Sequence, residues 1–119
     1  MNNDKMNNDE MFKWAVIGAG PAGIAAIGKL LDANIQGEEI VWIDTDFHVG
    51  DFGAKWQNVS SNTTVESFLN YFNACSSFKY PPLEKKFPIQ DLPLEDTCLL
   101  GYAVEVLQWI SDHLKNRVN

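Results

Sequence analysis

An α/β fold with parallel strands is predicted by three features near the start of this 119-residue chain. A short apolar run at residues 14–17 has the length and composition of a buried strand. Gly18, Gly20 and Gly23 follow it in G-x-G-x-x-G spacing and lead into a helical pattern. A second apolar run, residues 40–43, comes after that helix. A strand, a glycine turn, a helix and another strand in this order predict the opening of a doubly wound parallel sheet.

The three glycines each have a physical role in such a turn. Gly18 permits the sharp exit from the strand, and Gly23 lets the helix pack closely against it. Gly20 lacks the Cβ atom that would hold a pyrophosphate away from the backbone. Unpaired N–H groups of the first helical turn, with a helix dipole contribution of about 0.3–1 kcal/mol, favour the phosphates. The predicted cofactor-binding turn comprises Gly18, Ala19, Gly20, Pro21, Ala22 and Gly23.

The second strand is followed directly by an acidic residue, Asp44. It lies 26 residues after Gly18 (44 − 18), close to the ~20-residue spacing of a ribose-binding acid. A carboxylate there accepts hydrogen bonds from ribose hydroxyls and repels a 2′-phosphate, so we expect FAD or NAD rather than NADP at this site. The alternative is an ordinary turn acid at the end of a strand.

Hydrophobic periodicity and the positions of the prolines predict the secondary structure of the rest of the chain. Residues 46–62 form a long excursion without a strong period, leaving the strand end where ligands bind in parallel sheets. Residues 76–97 carry four of the five prolines and are expected to be irregular. The predicted strands are residues 13–17 and 40–44, and the predicted helices are residues 20–33, 64–73 and 99 or 100 to 115.

The domain organisation follows from the number of strands. Residues 1–12 are rich in Asn, Asp and Met without periodicity and are predicted to be a disordered leader. Only two strands are evident in residues 13–119, and a two-stranded sheet is a poor independent unit. We therefore expect residues 13–119 to be the N-terminal part of a larger doubly wound domain, a fragment of a longer protein. A small self-sufficient domain is the alternative.

Composition excludes several classes of function. The net charge is −7, from 16 acidic and 9 basic residues, so we expect neither nucleic acid nor a membrane surface as a partner. There is no apolar run long enough to span a bilayer and no signal segment. Cys75 and Cys98 lack C-x-x-C spacing, so no metal site is predicted. Reduced thiols and this charge are typical of a cytoplasmic protein.

Two further segments extend the pattern beyond the glycine turn and Asp44. One is the loop Gly53-Ala54-Lys55-Trp56, and the other is residues 59–63, which end in Asn62-Thr63. Together these features resemble the N-terminal FAD-binding Rossmann domain of flavin-containing monooxygenases and related class B flavoprotein oxidoreductases. The resemblance is strongest in the first half of the chain and looser towards the last helix.

The resemblance implies a role for each matching residue. The glycine turn would bind the FAD pyrophosphate, and Asp44 would hold the adenosine ribose. Trp56 would lie along the cofactor, and Asn62, with Thr63 beside it, would sit near the reactive edge of the flavin. Asn62 is thus the candidate catalytic residue, since its amide can donate to flavin carbonyls or to a developing oxyanion. The alternatives are that Asn62 caps the helix after Thr64 and that Trp56 is a core aromatic.

The resemblance also implies a reaction for the whole protein. NAD(P)H would reduce FAD, and the reduced flavin would use O₂ to oxygenate a soft nucleophile. Ala54 and Val65 depart from the family pattern, where a second glycine and often a lysine stand. The expected partners are the dinucleotide cofactor and the remainder of the protein's own chain, with self-association left open. We expect the 119-residue chain alone to be inactive. The competing hypothesis is a non-catalytic dinucleotide-binding or interaction module.

Overall fold

The computed structural model describes residues 11–119, so the predicted leader lies outside it except for Met11 and Phe12, which are exposed and precede the first strand. The described part is an α/β domain, which confirms the predicted class. Its strands are β1 (Trp14–Ile17), β2 (Ile40–Ile43), β3 (Ser60–Thr64) and β4 (Thr97–Leu99), and its helices are α1 (Pro21–Asp32), α2 (Gly50–Ala54), α3 (Val65–Phe72) and α4 (Leu100–Lys115). Short 3₁₀ turns occupy Gly37–Glu39, Ser76–Phe78 and Pro88–Asp91.

The first sheet has the parallel arrangement that the sequence predicts. β1 and β2 pair in parallel from Trp14 opposite Ile40 to Ile17 opposite Ile43, and α1 connects them. The observed ends of β1, α1 and β2 each lie within one residue of the predicted ends. A β-α-β unit of this kind brings the carboxyl ends of both strands to one edge of the sheet, beside the start of α1.

The last residue of the chain pairs with the other edge of β2. The N–H of Asn119 donates to the carbonyl of Ile40 (3.1 Å), and the N–H of Trp42 donates to the carbonyl of Asn119 (2.8 Å). This is the pattern of a parallel bridge. The carbonyls of Glu39 and Ile43 accept bonds from the β1 side, so alternation along β2 places Asn119 on the opposite edge. The order across the sheet is therefore Asn119, β2, β1.

A second sheet, which the sequence does not predict, lies in the segment between β2 and α4. β3 and β4 pair antiparallel, with Ser60 opposite Leu99 and Thr64 opposite Thr97 and an irregularity between the two pairs. Residues 46–62 therefore contain α2 and the start of β3 rather than a structureless loop. The prediction failed because β3 reads Ser-Ser-Asn-Thr-Thr, which has no apolar alternation, and because β4 has only three residues.

The core forms around α1, which contacts both β1 and α4. The apolar stripe of α4 is buried. Burying such side chains contributes about 1.5–3 kcal/mol each relative to leaving them exposed. The buried residues of the two helices include Ile24, Ile27, Leu31, Val104, Leu107, Ile110 and Leu114.

The prediction that β1 is buried is wrong. Trp14 is 45% exposed and Ile17 is 81% exposed. Within residues 11–119 the helices cover the sheet face that carries Trp42, while the face that carries Ile17 and Ile43 stays open. The apolar run predicts a strand covered on both sides, and the described part of the chain covers only one. Of the helices in this part, none has the length and apolarity that crossing a bilayer requires.

His113 is a half-buried residue of α4. Its ring lies near Trp109, with centroids 4.9 Å apart and planes tilted by 59°, and places Nε2 2.8 Å from the carbonyl oxygen of Phe78. Burial lowers the pKa of His113, and the Phe78 carbonyl opposes that shift only in part.

We expect acid to destabilise the fold through His113. Because its folded-state pKa is lowered, the unfolded chain binds more protons, so stability falls as pH drops below the unfolded pKa of about 6.5. His113→Gln keeps an amide donor for Phe78 and removes the titration. Urea unfolding between about pH 5 and pH 7.5 should therefore show a shallower pH slope for the variant. Equal slopes for the two proteins would contradict this account.

Candidate functional site

Residues Gly18–Gly23 form the turn after β1 and the start of α1, and they are named here the glycine corner. Gly18 has a φ of +107°, which a side chain rarely tolerates, so its predicted turn role is confirmed. Its N–H donates to the carbonyl of Ile43 (2.7 Å), and the indole Nε1 of Trp42 donates to its carbonyl (2.7 Å). The N–H and the carbonyl group of Gly18 are therefore both hydrogen-bonded to residues of β2.

Gly23 is required by the packing of helix against turn. A Cβ atom at this position would lie 2.0 Å from the carbonyl oxygen of Gly18 and 3.6 Å from the Trp42 indole nitrogen. No side-chain rotation relieves a contact with backbone, so any residue other than glycine would push α1 away from the turn. The expected close approach of helix and strand at Gly23 is confirmed.

Gly20 differs from the other two glycines because the fold does not explain it. Its φ of −79° and ψ of −170° are ordinary extended values that any residue adopts. A Cβ atom there would meet only the carbonyl oxygen of Val49 at 3.9 Å and the Cα of Gly50 at 4.0 Å, which are normal contacts. The space that the missing side chain leaves is open. A ligand approaching the backbone is the physical use for that space.

Three backbone donors of the glycine corner have no acceptor among the described residues. The first intrahelical bond runs from the Ile24 N–H to the Gly20 carbonyl (2.9 Å), and Pro21 has no N–H. Within residues 11–119, no acceptor is bonded to the N–H groups of Gly20, Ala22 or Gly23. Three free donors at the positive end of a 12-residue helix form a favourable place for an anion.

Asp44 points at the glycine corner, as predicted. Its Oδ1 accepts the N–H of Ala19 (3.0 Å), and its Oδ2 accepts the N–H groups of Phe47 (2.8 Å) and Asp46 (3.2 Å). These bonds, that of Phe47 foremost, lower the pKa of the carboxyl group and outweigh the opposing effect of burial. Asp44 is therefore ionised at neutral pH.

The turn role of Asp44 is confirmed in this geometry, and its role in ribose binding stays a prediction. It closes the turn after β2 like an ordinary strand-end acid, and it fixes the glycine corner through Ala19, whose N–H is thereby engaged. An ionised carboxylate offers about four acceptor sites. Three are used by backbone N–H groups, so one on Oδ1 remains for a ligand hydroxyl.

The second group of predicted site residues, Trp56, Asn62 and Thr63, lines one cavity of about 360 Å³, named here the Asn62 cavity. Trp56 is 42% exposed and leans on Phe52 with ring centroids 5.9 Å apart, so the alternative that it is a core aromatic is wrong. Asn62 lies in β3 and is exposed. All three predicted residues therefore border the same open space.

The alternative role of Asn62 as a helix cap is also wrong. The residue that caps α3 is Thr64, whose hydroxyl oxygen accepts the N–H of Ser67 (3.2 Å). Asn62 therefore does not cap α3, and it is an exposed residue that lines the cavity.

A second cavity of about 240 Å³, named here the Pro21 cavity, connects the two groups. It begins at Pro21 in the glycine corner and includes Tyr71 of α3. It shares Phe52, Thr63 and Phe68 with the Asn62 cavity. The two cavities therefore lie side by side between the glycine corner and Asn62, and together they are named here the groove.

Tyr71 of this groove and the turn beside Gly20 were missed in the sequence. Tyr71 lies one turn from Phe68 on one face of α3, a pattern that helical periodicity could have shown. Val49 and Gly50, whose positive φ values are 64° and 58°, carry the chain past Gly20. A buried β-branched residue such as Val49 in this conformation is a genuine outlier, of the kind that clusters at functional sites, and no sequence pattern announces it.

The described residues contain no cluster of three or more His, Cys, Asp or Glu side chains that could hold a metal ion. Cys75 is buried and Cys98 half-buried, and both are free thiols whose pKa is raised, chiefly by burial.

Comparison with known proteins gives one relative of clear similarity and leaves the family open. No family model matches the chain, and no solved structure matches it. The chain is 34% identical over 102 residues to a protein named "Monooxygenase AgnR1" from Paecilomyces divaricatus. The aligned region is 82% of this chain and 26% of that protein, so the chain spans about a quarter of the length of this curated relative.

Substitution of the two inner glycines should separate packing from binding. Gly23→Ala should lower the free energy of unfolding by about 2 kcal/mol or more, because its Cβ meets backbone. Gly20→Ala should change it by less than about 1 kcal/mol, because its Cβ enters open space. Chemical denaturation of the two variants measures both values. Equal losses at the two positions would show that Gly20 is a packing residue too.

Proposed function

We propose that this chain is the FAD-binding part of a flavin-dependent oxidoreductase of the monooxygenase type, with NAD(P)H as the electron donor. The observation that carries the proposal is Gly20, where neither backbone conformation nor packing requires glycine. A pyrophosphate seated against that bare backbone explains the residue, and the free N–H groups of Ala22 and Gly23 explain how it would be held.

The strand arrangement supports a doubly wound Rossmann-type sheet. β1, α1 and β2 form a parallel β-α-β unit, and Asn119 adds a parallel bridge on the far edge of β2. The order Asn119, β2, β1 matches the 3-2-1 half of such a sheet. In this fold the dinucleotide crosses the carboxyl ends of the strands, where the glycine corner and Asp44 lie.

The proposal places the parts of FAD along the groove as follows. The glycine corner would hold the pyrophosphate, and the free acceptor site on Asp44 would hold an adenosine ribose hydroxyl. The flavin end would follow the groove to the Asn62 cavity, with Trp56 and Thr63 on its wall. There the Asn62 amide could donate a hydrogen bond to a flavin carbonyl or to an oxygen that gains charge.

FAD supplies the redox chemistry when bound, and the protein supplies binding, orientation and the exclusion of water. The name of the relative supports oxygenation as the reaction class. NAD(P)H as the donor belongs to the proposal for the whole protein, since the chain spans about a quarter of that relative. A cytoplasmic location is also proposed, on the net charge of −7 and the two free cysteines.

Titration with ADP tests the phosphate assignment on the 119-residue chain. ADP carries the pyrophosphate and ribose of FAD, and we expect a dissociation constant of about 1 mM or tighter by calorimetry. Gly20→Val should weaken binding at least about tenfold, because its side chain fills the space that the pyrophosphate needs.

Ala33→Val at the exposed far end of α1 is the matched control and should bind ADP like the unmodified chain. Unchanged ADP affinity in Gly20→Val would refute the phosphate assignment. A full-length protein that purifies without flavin absorbance would instead favour the non-catalytic module.

A further inference from the structure

Tyr71 links the two halves of the groove. It lies on α3, is half-buried, and donates a hydrogen bond from its hydroxyl group to the carbonyl oxygen of Pro21 in the first turn of α1. The two residues are 50 positions apart in the chain. This contact therefore connects α3, which follows the strand that lines the Asn62 cavity, to the glycine corner.

The ring of Tyr71 is held by aromatic neighbours, so its hydroxyl group has a fixed position. It stacks on Phe78 with centroids 5.7 Å apart and planes 23° apart, and it meets Phe72 edge-on at 6.1 Å. Burial raises the pKa of the hydroxyl above its ordinary value, although the backbone N–H of Ala25 acts in the opposite sense. The group thus stays protonated and able to donate.

A shift of α3 would move the flavin end of the groove. β3, which carries Asn62 and Thr63, runs directly into α3, and Thr64 caps the junction. Tyr71 lies two turns further along the same helix and lines the Pro21 cavity together with Thr63. The Tyr71 hydroxyl bond therefore joins Pro21 to the helix that follows Thr63.

We propose that Tyr71 is a positioning residue that fixes the distance between the pyrophosphate site and the flavin site. This inference rests on the proposed function. A ligand confined to the glycine corner does not sense that distance, whereas a ligand that reaches both sites does. Loss of the hydroxyl group should therefore weaken FAD binding and leave ADP binding unchanged.

Tyr71→Phe tests this prediction because it keeps the ring packing and removes only the hydroxyl group. We expect FAD affinity to fall about fivefold, the value of one hydrogen bond, while ADP affinity stays within about twofold. Quenching of flavin fluorescence reports FAD, and calorimetry reports ADP. Unchanged ADP binding also shows that the glycine corner of the variant is folded.

Tyr80→Phe is the matched control. The Tyr80 hydroxyl group is buried without a hydrogen-bond partner among residues 11–119, and the residue lines neither cavity. Its removal should change neither affinity.

The FAD and ADP titrations distinguish a failure of the Tyr71 proposal from a failure of the proposed function. Equal changes in FAD and ADP affinity, or no change in either, would overturn the role of Tyr71 and leave the phosphate site standing. The same holds if the unmodified chain binds FAD no more tightly than ADP, since the second cavity would then contribute nothing. An unmodified chain that binds neither ligand would overturn the proposed function itself.

Discussion

The close contact between α1 and the turn before it is the constraint on which the rest of the structure depends. The helix can start where it does because Gly23 has no Cβ atom. A Cβ atom there would lie only 2.0 Å from the carbonyl oxygen of Gly18. Trp42 completes the contact by donating to that same oxygen. With the helix seated there, its unpaired N–H groups face the edge of the sheet where β1 and β2 end.

Asp44 carries that constraint into the excursion. One carboxylate oxygen holds the glycine corner through Ala19, and the other holds the turn that leads past Val49 to α2. The chain then passes Gly20 closely and delivers Phe52 to both cavities. A single acid thus links the glycine corner to the segment that leads to the groove. The predicted site residues are spread over 46 positions of the chain (63 − 18 + 1).

The sequence predicts the first sheet, α1, α3 and α4 because their patterns are local. Glycine spacing, apolar runs and helical periodicity each follow from contacts within a few residues, and Asp44 follows from strand geometry. β3 and β4 were missed because their pairing joins polar residues such as Ser60 to Leu99, far apart in the chain. The groove was only partly predicted, since the left-handed turn at Val49 and the Tyr71 contact arise from tertiary packing rather than from local preference.

Amide resonances of the glycine corner provide the most direct measurement of the central claim. In a titration followed by two-dimensional NMR, ADP and inorganic pyrophosphate should shift the N–H signals of Gly20, Ala22 and Gly23, because these donors have no acceptor among the described residues. Adenosine, which lacks the phosphates, should leave them in place. If the three signals stay unmoved while ADP binds elsewhere, or move equally with adenosine, the glycine corner is not a diphosphate site.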